Sequence, residues 1–439
     1  MIGQRFTSRV TKRAFIPLPT KSSMKKDVRT TFPNTTIQQD RARLGNNYQL
    51  LAKIGWGTSS TVWLARDITR YRWQSERTVA LKISNSCDAK SAIDLLGIEE
   101  TVAQKNPSHL GYHITRSCLE SFELKTSDKP HLYLIYEAMR EPMSMFQKRF
   151  KNRIIPLPIV KAYIQLLLIR LQYLHAECRI VHTEAILRFI QEQVTKLPIY
   201  YKTNPITNHT IYQSYHGFGA IDVEDVGNIL PRITDFGSVW QFVVNPETKS
   251  QNEAVLTYPI QPNYYRAPEV VLGYGWDFSA DIWNFGVLVW NIIEGTELFT
   301  QVEDANGRYD AKSHLAEMIA LLGPPPKGVI ERADHMSQVD YPTPIRIEAG
   351  KLSKNARELF GGPYFDEEGK FLHEELIPSR KLKDTILSLD DSERELFLSF
   401  ARDMLTWIPS ERKTARELIE HPFLNFGGHV SKDVLEGRS

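Results

Sequence analysis

The sequence predicts an α+β protein in which a small β-rich lobe precedes a large, mostly helical lobe. Two patterns indicate this division. In residues 48–83, β-branched and aromatic residues alternate with polar ones around a Gly-x-Gly turn, which is typical of antiparallel strands. After Pro142, apolar residues recur at helical spacing. A chain of 439 residues, 42% of them hydrophobic, is long enough for both lobes.

The individual elements follow in order along the chain. We expect three strands within residues 48–83, a helix near residues 91–104, and a further strand at residues 131–139, HLYLIYEAM. In the second lobe, the periodic apolar residues predict helices at residues 159–175, 281–295, 314–323 and 393–405.

Composition argues against several classes of protein. The 54 basic and 52 acidic side chains leave a net charge of +2, so we expect no direct binding to nucleic acid or to a membrane surface. The apolar segment 159–175 is interrupted by Lys161 and Arg170, which favours a buried core helix over a membrane span. The three cysteines lack metal-ligand spacing, so free thiols in the nucleus or cytosol are expected.

The first 46 residues differ in character from the rest of the chain. They begin MIGQRFTSRVTKRAF, rich in Arg, Lys, Ser and Thr, and the first acidic residue is Asp27. Such a segment is typical of a disordered basic arm outside the fold, and a mitochondrial presequence is the alternative interpretation. We predict the arm.

A phosphate-binding loop is predicted at the start of the β-rich lobe. In IGWGTSSTVWLA, Gly55 and Gly57 lack side chains, so the backbone can approach a polyphosphate and direct N–H groups toward it. A Gly-x-Gly alone is more often a tight hairpin. Lys82, in the strand motif VALKI, adds an ammonium group that can reach the phosphates. The two motifs together predict a nucleotide site.

Two further motifs follow in the second half of the chain. ITDFGSVW contains Asp235, a carboxylate able to hold Mg²⁺ against the phosphates of a nucleotide. YYRAPEVV contains Glu269. The order and spacing of all four motifs match the signature set of the eukaryotic protein kinases, which the chain therefore resembles.

Longer segments resemble the SR-protein kinases and their fungal relatives. These segments are KIGWGTSSTVWLARD, the pair His182 and Thr183, YRAPEVVLGYGWDFSADIWNFGVLVWNIIEGTELF, and HLAEMIALLGPPP. The resemblance implies a bilobal protein-kinase fold with the division 1–46 arm, 47–138 N-lobe, 139–426 C-lobe with a spacer at about 185–230, and 427–439 tail. It also implies transfer of the ATP γ-phosphoryl to Ser or Thr of proteins, with Arg-Ser-rich splicing factors as substrates, in the cytoplasm and nucleus.

The resemblance further implies site residues. Glu137, Ala138 and Met139 would form the hinge to adenine, with Tyr136 controlling access behind it, and Asp235 would hold Mg²⁺. The implied ATP-binding positions are Ile54, Gly55, Trp56, Gly57, Val62, Ala80, Lys82, Tyr136, Glu137 and Met139. The implied structural positions are Glu99, Glu269, Asp281 and Arg412, of which Arg412 would pair with Glu269.

The catalytic loop departs from the family pattern. The family has His-Thr-Asp-x-Lys-x-x-Asn, in which the Asp accepts the proton of the substrate hydroxyl. This chain has HTEAILRFIQEQV. Without a gap, Glu184 replaces the Asp and is the remaining candidate base, alongside Lys82 and Asp235 as the other catalytic residues. The helical spacing of Ile186, Phe189 and the apolar residues after them favours a gap instead, with this segment as the first helix of the spacer.

A gapped alignment means that the catalytic loop and the strand after it are absent. The absence is either a true loss or an intron misplaced in the coding sequence. Two functions therefore follow from the sequence: a serine/threonine kinase of reduced efficiency, and a pseudokinase that binds nucleotide or acts as a scaffold.

The regulatory helix also departs from the family pattern. The Glu that pairs with the strand lysine falls on Leu95, so the candidates are Glu99, one turn later on the same helical face, and Asp94. We rank Glu99 first, and solvated helix charges are the alternative for both.

The docking groove for Arg-Ser repeats is a third departure. In the SR-protein kinases that the chain resembles, the matching helix contributes acidic residues to this groove. Here that helix keeps Glu317, but Lys312, Ser313 and Ala320 lie beside it. The local residues therefore do not strengthen the substrate assignment that the resemblance implies.

Overall fold

The β-rich part of the chain is built on a six-stranded antiparallel sheet. The computed structural model describes residues 15–17, 43–44, 47–56, 60–71, 73–84, 89–115, 118–125, 130–138, 143–183, 199–203, 210–212, 231, 233, 239–242, 256–347, 350 and 352–425. The sheet has the spatial order β2-β3-β4-β5-β7-β6. Its strands are β2 (Arg43–Leu44), β3 (Tyr48–Trp56), β4 (Ser60–Asp67), β5 (Arg77–Ser84), β6 (Glu120–Lys125) and β7 (Pro130–Glu137).

Side-chain alternation gives this sheet two apolar faces. One face buries a cluster that includes Trp63, Leu81 and Tyr133. The other face buries a cluster of Ala80, Leu132, Leu134 and Tyr136, against which Leu95 and Leu96 of helix α1 (Ala89–Gln104) pack. This second side is called the α1 face below.

A second, three-stranded sheet joins a segment of the predicted arm to the predicted spacer. Strand β1 (Phe15–Pro17) runs parallel to β9 (Ile199–Thr203), which pairs antiparallel with β10 (Thr210–Tyr212). Strands β1 and β2 both fall within residues 1–46. The other residues of the predicted arm lie outside the described part of the chain.

The chain divides into two compact units. The first comprises residues 1–103, 116–141 and 189–229, and the second comprises residues 104–115, 142–188 and 230–439. The second unit is mostly helical: α2 (Leu110–His113), α3 (Met143–Gln147), α4 (Leu157–Gln172), α5 (Pro268–Leu272), α6 (Ser279–Glu294), α7 (Ala311–Leu322), α8 (Lys327–Met336), α9 (Ala356–Phe360), α10 (Asp391–Arg402) and α11 (Ala415–Ile419). Two short antiparallel pairs accompany these helices: β8 (Ile180–Val181) with β11 (Trp240–Gln241), and β12 (Ile345–Arg346) with β13 (Leu352–Ser353).

Helix α4 lies in the core of the second unit. A π-helical turn at Tyr173–Cys178 extends it. By length and composition alone, the combined segment Leu157–Cys178 is apolar enough to cross a membrane. Its apolar side chains Ile164, Leu168 and Leu171 are fully buried, and the helix packs against α2 and α11. Packing inside the unit therefore accounts for the apolar sequence.

Helix α6 is almost entirely buried, from Ala280 to Ile293. It ends at Gly295, whose φ of 68° is the left-handed conformation that glycine adopts without steric cost. Its first turn holds Asp281, a carboxylate with no solvent exposure. A buried carboxylate must be hydrogen-bonded, so α6 brings a polar anchor into the core of this unit.

Candidate functional site

Strand register in the first unit aligns several of the predicted ATP-binding residues. Gly55 lies opposite Val62, and Val62 lies opposite Lys82. Residues directly opposite in antiparallel strands project to the same face of a sheet, as do residues two apart in one strand. Ala80 therefore shares the face of Lys82, and so does Tyr136, which lies opposite Ala80.

The remaining predicted ATP-binding positions lie at the ends of these strands. Ile54 is partly buried and packs against the apolar cluster of the α1 face and against a second cluster of Leu51, Ala52 and Leu64. Trp56 is the last residue of β3, and Glu137 is the exposed last residue of β7. Gly57 and Met139 lie outside the described residues.

The two acidic candidates on α1 have different surroundings. Glu99 is 3% exposed, and its Oε1 accepts a hydrogen bond of 2.5 Å from the Tyr136 hydroxyl. Asp94 is exposed, and Leu95 packs against the apolar cluster. Glu99 is therefore the candidate that reaches the α1 face, to which Lys82 belongs, and a Glu99–Lys82 pair stays a prediction.

In the second unit, Asp281 holds the chain just before the altered catalytic loop. Its Oδ2 accepts a hydrogen bond from the backbone N–H of His182 at 2.7 Å, and its Oδ1 accepts one from that of Thr183 at 3.2 Å. The His175 Nε2 lies 3.0 Å from Oδ2. On the other side, the backbone N–H of Gln261 donates to the Thr183 carbonyl at 2.9 Å. These four contacts determine where the chain leaves Thr183.

The backbone at this point is strained. Thr183 has a φ of 58°, a left-handed conformation that is unfavourable for a β-branched residue. Such strain persists only where the surrounding structure enforces it, and it concentrates at functional sites. Asp281 and Gln261 supply that enforcement here.

Two residues that are predicted to perform the chemistry follow Thr183 in the sequence. Glu184, the candidate base, and Asp235, the predicted Mg²⁺ ligand, both lie outside the described residues. Within the part of the chain that the structure describes, no group of His, Cys, Asp and Glu side chains could hold a metal ion. The metal site of the sequence analysis therefore stays a prediction.

Arg412 and Glu269 form a fully buried, bidentate ion pair. Arg412 Nη1 lies 2.6 Å from Glu269 Oε1, and Nη2 lies 2.7 Å from Oε2. The guanidinium also donates to the carbonyls of Ser279 and Thr406. Burial opposes the charge of Arg412, but the Glu269 carboxylate outweighs it and raises the pKa of Arg412. The pair connects α5 to the segment just before α11.

Gln261 is a site residue that the sequence analysis did not identify. It has a φ of 70°, and its side-chain Oε1 accepts a hydrogen bond from the Ala267 N–H at 2.8 Å while Nε2 donates to the Ala280 carbonyl at 2.7 Å. Its backbone carbonyl accepts a further bond from Arg266. Apart from its place shortly before YRAPEVV, nothing in the sequence identifies Gln261, because its role depends on contacts far along the chain.

Glu317, the acidic residue that α7 keeps, is used inside the second unit. Its carboxylate accepts hydrogen bonds from the backbone N–H groups of Thr300 and Gln301, at 2.6 and 3.1 Å, and from Arg380 Nη1 at 2.9 Å. The side chain has almost no exposure. Glu317 therefore stabilises the fold and is not presented to a substrate.

Comparisons with known proteins agree with this architecture. The protein kinase domain family matches residues 221–424. A serine/threonine protein kinase of Aspergillus fumigatus is 30% identical over 389 residues, covering 86% of this chain and 84% of that protein. The serine/threonine-protein kinase SRPK of Physarum polycephalum is 27% identical over 409 residues, with 86% of each chain covered. Protein kinase dsk1 of Schizosaccharomyces pombe is 24% identical over 471 residues, covering 86% of this chain and 80% of that protein.

The fold has a counterpart among solved structures. The crystal structure of a kinase domain matches with a TM-score of 0.59 at 20% identity, covering 87% of this chain and 96% of that one. This similarity confirms the expected bilobal protein-kinase fold, with its β-rich first lobe and helical second lobe.

Proposed function

Because the chain belongs to the serine/threonine protein kinases, in their SR-protein kinase-like branch, we propose that it binds Mg²⁺–ATP and phosphorylates Ser or Thr of protein substrates at a reduced rate. The observation that carries this proposal is the anchored backbone of Thr183. Asp281 and Gln261 hold it in a strained conformation directly before the catalytic loop. Catalysis of phosphoryl transfer is almost entirely positioning and electrostatic stabilisation, so such an anchor has a direct purpose in a kinase.

The chemistry is assigned to three residues. Lys82 would bind the phosphates from β5, and Asp235 would hold Mg²⁺, because carboxylate oxygens are ligands that Mg²⁺ prefers. Glu184 would accept the proton of the substrate hydroxyl.

The reduced rate follows from the altered loop. The extra methylene of Glu184 moves its carboxylate by about 1 Å relative to an Asp, and a misplacement of this size can cost on the order of a hundredfold in rate. In the ungapped alignment, Ile186 and Phe189 replace the Lys and Asn that neutralise the γ-phosphate and hold a second metal ion.

ATP binding is tested by thermal unfolding of the purified chain with and without ATP and Mg²⁺. A ligand at a hundredfold excess over its dissociation constant stabilises the native state by about 2.7 kcal/mol, so a clear rise in melting temperature is expected. Lys82→Met should diminish the rise. A folded sample with no rise at millimolar ATP would contradict the nucleotide site.

Turnover is tested by the transfer of radiolabelled phosphate to Ser and Thr peptides. We expect slow transfer that Glu184→Gln lowers further. ATP binding without any transfer would instead favour a scaffold that binds nucleotide.

For the substrate class, we propose Arg-Ser-rich splicing factors, and hence residence in the cytoplasm and nucleus. Membership of the branch supports this assignment. The test compares an Arg-Ser repeat peptide with one in which Ala replaces every Arg, and equal rates would contradict the assignment. Imaging of the tagged full-length chain tests the location.

A further inference from the structure

We propose that the Tyr136 hydroxyl is a positioning group that holds Glu99 and thereby sets the affinity of the site for the phosphates of ATP. This inference rests on the ATP binding proposed above. Its starting observation is the hydrogen bond of 2.5 Å from the Tyr136 hydroxyl to Glu99 Oε1. Both residues are almost completely buried, at 5% and 3% exposure.

The bond places an acidic group on the α1 face. Tyr136 lies opposite Ala80, and Lys82 is the next residue of β5 on the same face. The Glu99 carboxylate that Tyr136 holds is therefore on the side of the sheet to which Lys82 projects. A carboxylate there orders an ammonium group by charge attraction, and in doing so it would orient Lys82 for the phosphates.

The position of α1 depends on such a bond because the helix itself is weak. Gly97 lies at its middle, its first turn has no acidic residue, and its last turn has no basic residue. Leu95 and Leu96 attach the helix to the sheet by apolar contacts, which are not directional. A hydrogen bond to a buried carboxylate is directional and specifies the axial position of Glu99.

Replacement of Tyr136 by Phe removes the hydroxyl and keeps the ring, so it tests the contribution of the hydroxyl by itself. The ring of Tyr136 belongs to the apolar cluster of the α1 face and would remain. Adenosine has no phosphates, so its affinity should depend only on contacts with the Tyr136 ring and the hinge. The affinity for Mg²⁺–ATP should report Lys82 and Glu99 in addition.

The experiment measures the dissociation constants of Mg²⁺–ATP and of adenosine by calorimetry for the full chain and for two variants. Tyr136→Phe should weaken ATP roughly tenfold, the size expected for loss of a hydrogen bond to a charged group, and leave adenosine unchanged. The matched control is Tyr133→Phe, which removes a phenol from the same strand but from the opposite face of the sheet, where Tyr133 stacks on Phe122 at 5.2 Å. It should change neither constant.

Hydrogen exchange supplies a second readout. The amides of α1 should exchange faster in Tyr136→Phe than in Tyr133→Phe. If Tyr136→Phe leaves the affinity for ATP unchanged, the inference fails while the proposed function stands. The same holds if the affinities for ATP and adenosine fall equally, because that result indicates a general packing role for Tyr136. A wild-type chain that binds no ATP would overturn the proposed function and this inference with it.

Discussion

The buried ion pair of Glu269 and Arg412 is expected to contribute strongly to the stability of the second unit. Neither side chain is exposed, and the guanidinium also satisfies the carbonyls of Ser279 and Thr406. Arg412→Ala leaves the Glu269 carboxylate buried without its cation, so the free energy of unfolding should fall by about 3–5 kcal/mol. Urea titration measures this loss. Arg308→Ala is the control, because Arg308 is 62% exposed in its pair with Asp304 and such pairs contribute at most about 1 kcal/mol. Equal losses in the two variants would contradict the argument.

A second residue, His314, makes stability depend on pH. It is fully buried in α7, shares a hydrogen bond of 2.9 Å with the Tyr309 hydroxyl, and burial lowers its pKa to about 3. The unfolded chain has the ordinary pKa of about 6.5, so between these values the unfolded chain binds a proton that the folded chain does not. The free energy of unfolding should therefore fall below pH 6.5, by up to about 1.4 kcal/mol per pH unit from this residue.

The measurement compares urea titrations from pH 7 to pH 4 for wild type and two variants. His314→Asn should have a shallower pH dependence than wild type, whatever its stability at pH 7. His335→Asn, at an exposed histidine of α8, should keep the wild-type slope. Parallel slopes for His314→Asn and wild type would show that His314 does not bind a proton on unfolding.

Motif spacing and the family resemblance named candidate site residues that lie within strands and helices, and their roles at the site stay predictions. Lys82, Tyr136 and Asp281 could be named in advance because each occupies a defined place in a strand or helix motif. Gln261 could not, because its contacts with Thr183 and Ala280 join segments that are distant along the chain. The burial of Glu317 could not be predicted for the same reason. Its helix resembles one that supplies docking acids, but residues outside that helix bury the carboxylate.

Helix α1 contains a residue that opposes helix formation. Gly97 is exposed at its centre, and a side chain there would meet nothing within 4 Å. Gly97→Ala should therefore stabilise the helix by roughly 0.5–1 kcal/mol, because glycine loses more backbone freedom on folding than alanine. Amide exchange of residues 89–104 and the urea midpoint both report the gain.

Gly111 in α2 provides the opposite case. A Cβ there would lie 2.4 Å from the Cβ of Tyr173, so Gly111→Ala should lower stability. Stabilisation by Gly111→Ala would contradict the steric argument at Gly111, and no gain from Gly97→Ala would mean that intrinsic helix propensity does not decide the outcome at Gly97.

The long elements could be predicted from the sequence and the short ones could not. Helices α4, α6, α7 and α10 begin and end within a few residues of the predicted limits, because each carries a sustained apolar period. The sheet of β1, β9 and β10 has no such signal, since strands of three to five residues acquire their identity from their pairing partners. The two residues of β8 likewise depend on β11.

At the scale of the whole molecule, the chain keeps the protein-kinase fold although the sequence of its catalytic loop departs from the family pattern. In the second unit, Asp281 anchors the chain through Thr183, and β8 pairs with β11 through Val181 and Trp240. The entry to the catalytic loop is therefore built although the sequence after it departs from the family. This combination predicts that the proposed reduction in rate has a local cause and can be reversed by adding residues at one place.

The restoring change is a family-type segment, Asp-x-Lys-x-x-Asn followed by an apolar strand, inserted between Thr183 and Glu184. It should raise phosphorylation of Ser/Thr peptides by on the order of a hundredfold or more, because it supplies the positioned base and the phosphate-binding cation at an anchored entry. The same insert with Asn in place of its Asp is the control and should restore little. Rapid phosphorylation by the unmodified chain, abolished by Glu184→Gln, would instead show that Glu184 is already an efficient base and that no segment is missing before it. A folded insertion variant that stays inactive would place a second defect elsewhere, at Leu95, where the family has the Glu that pairs with the strand lysine.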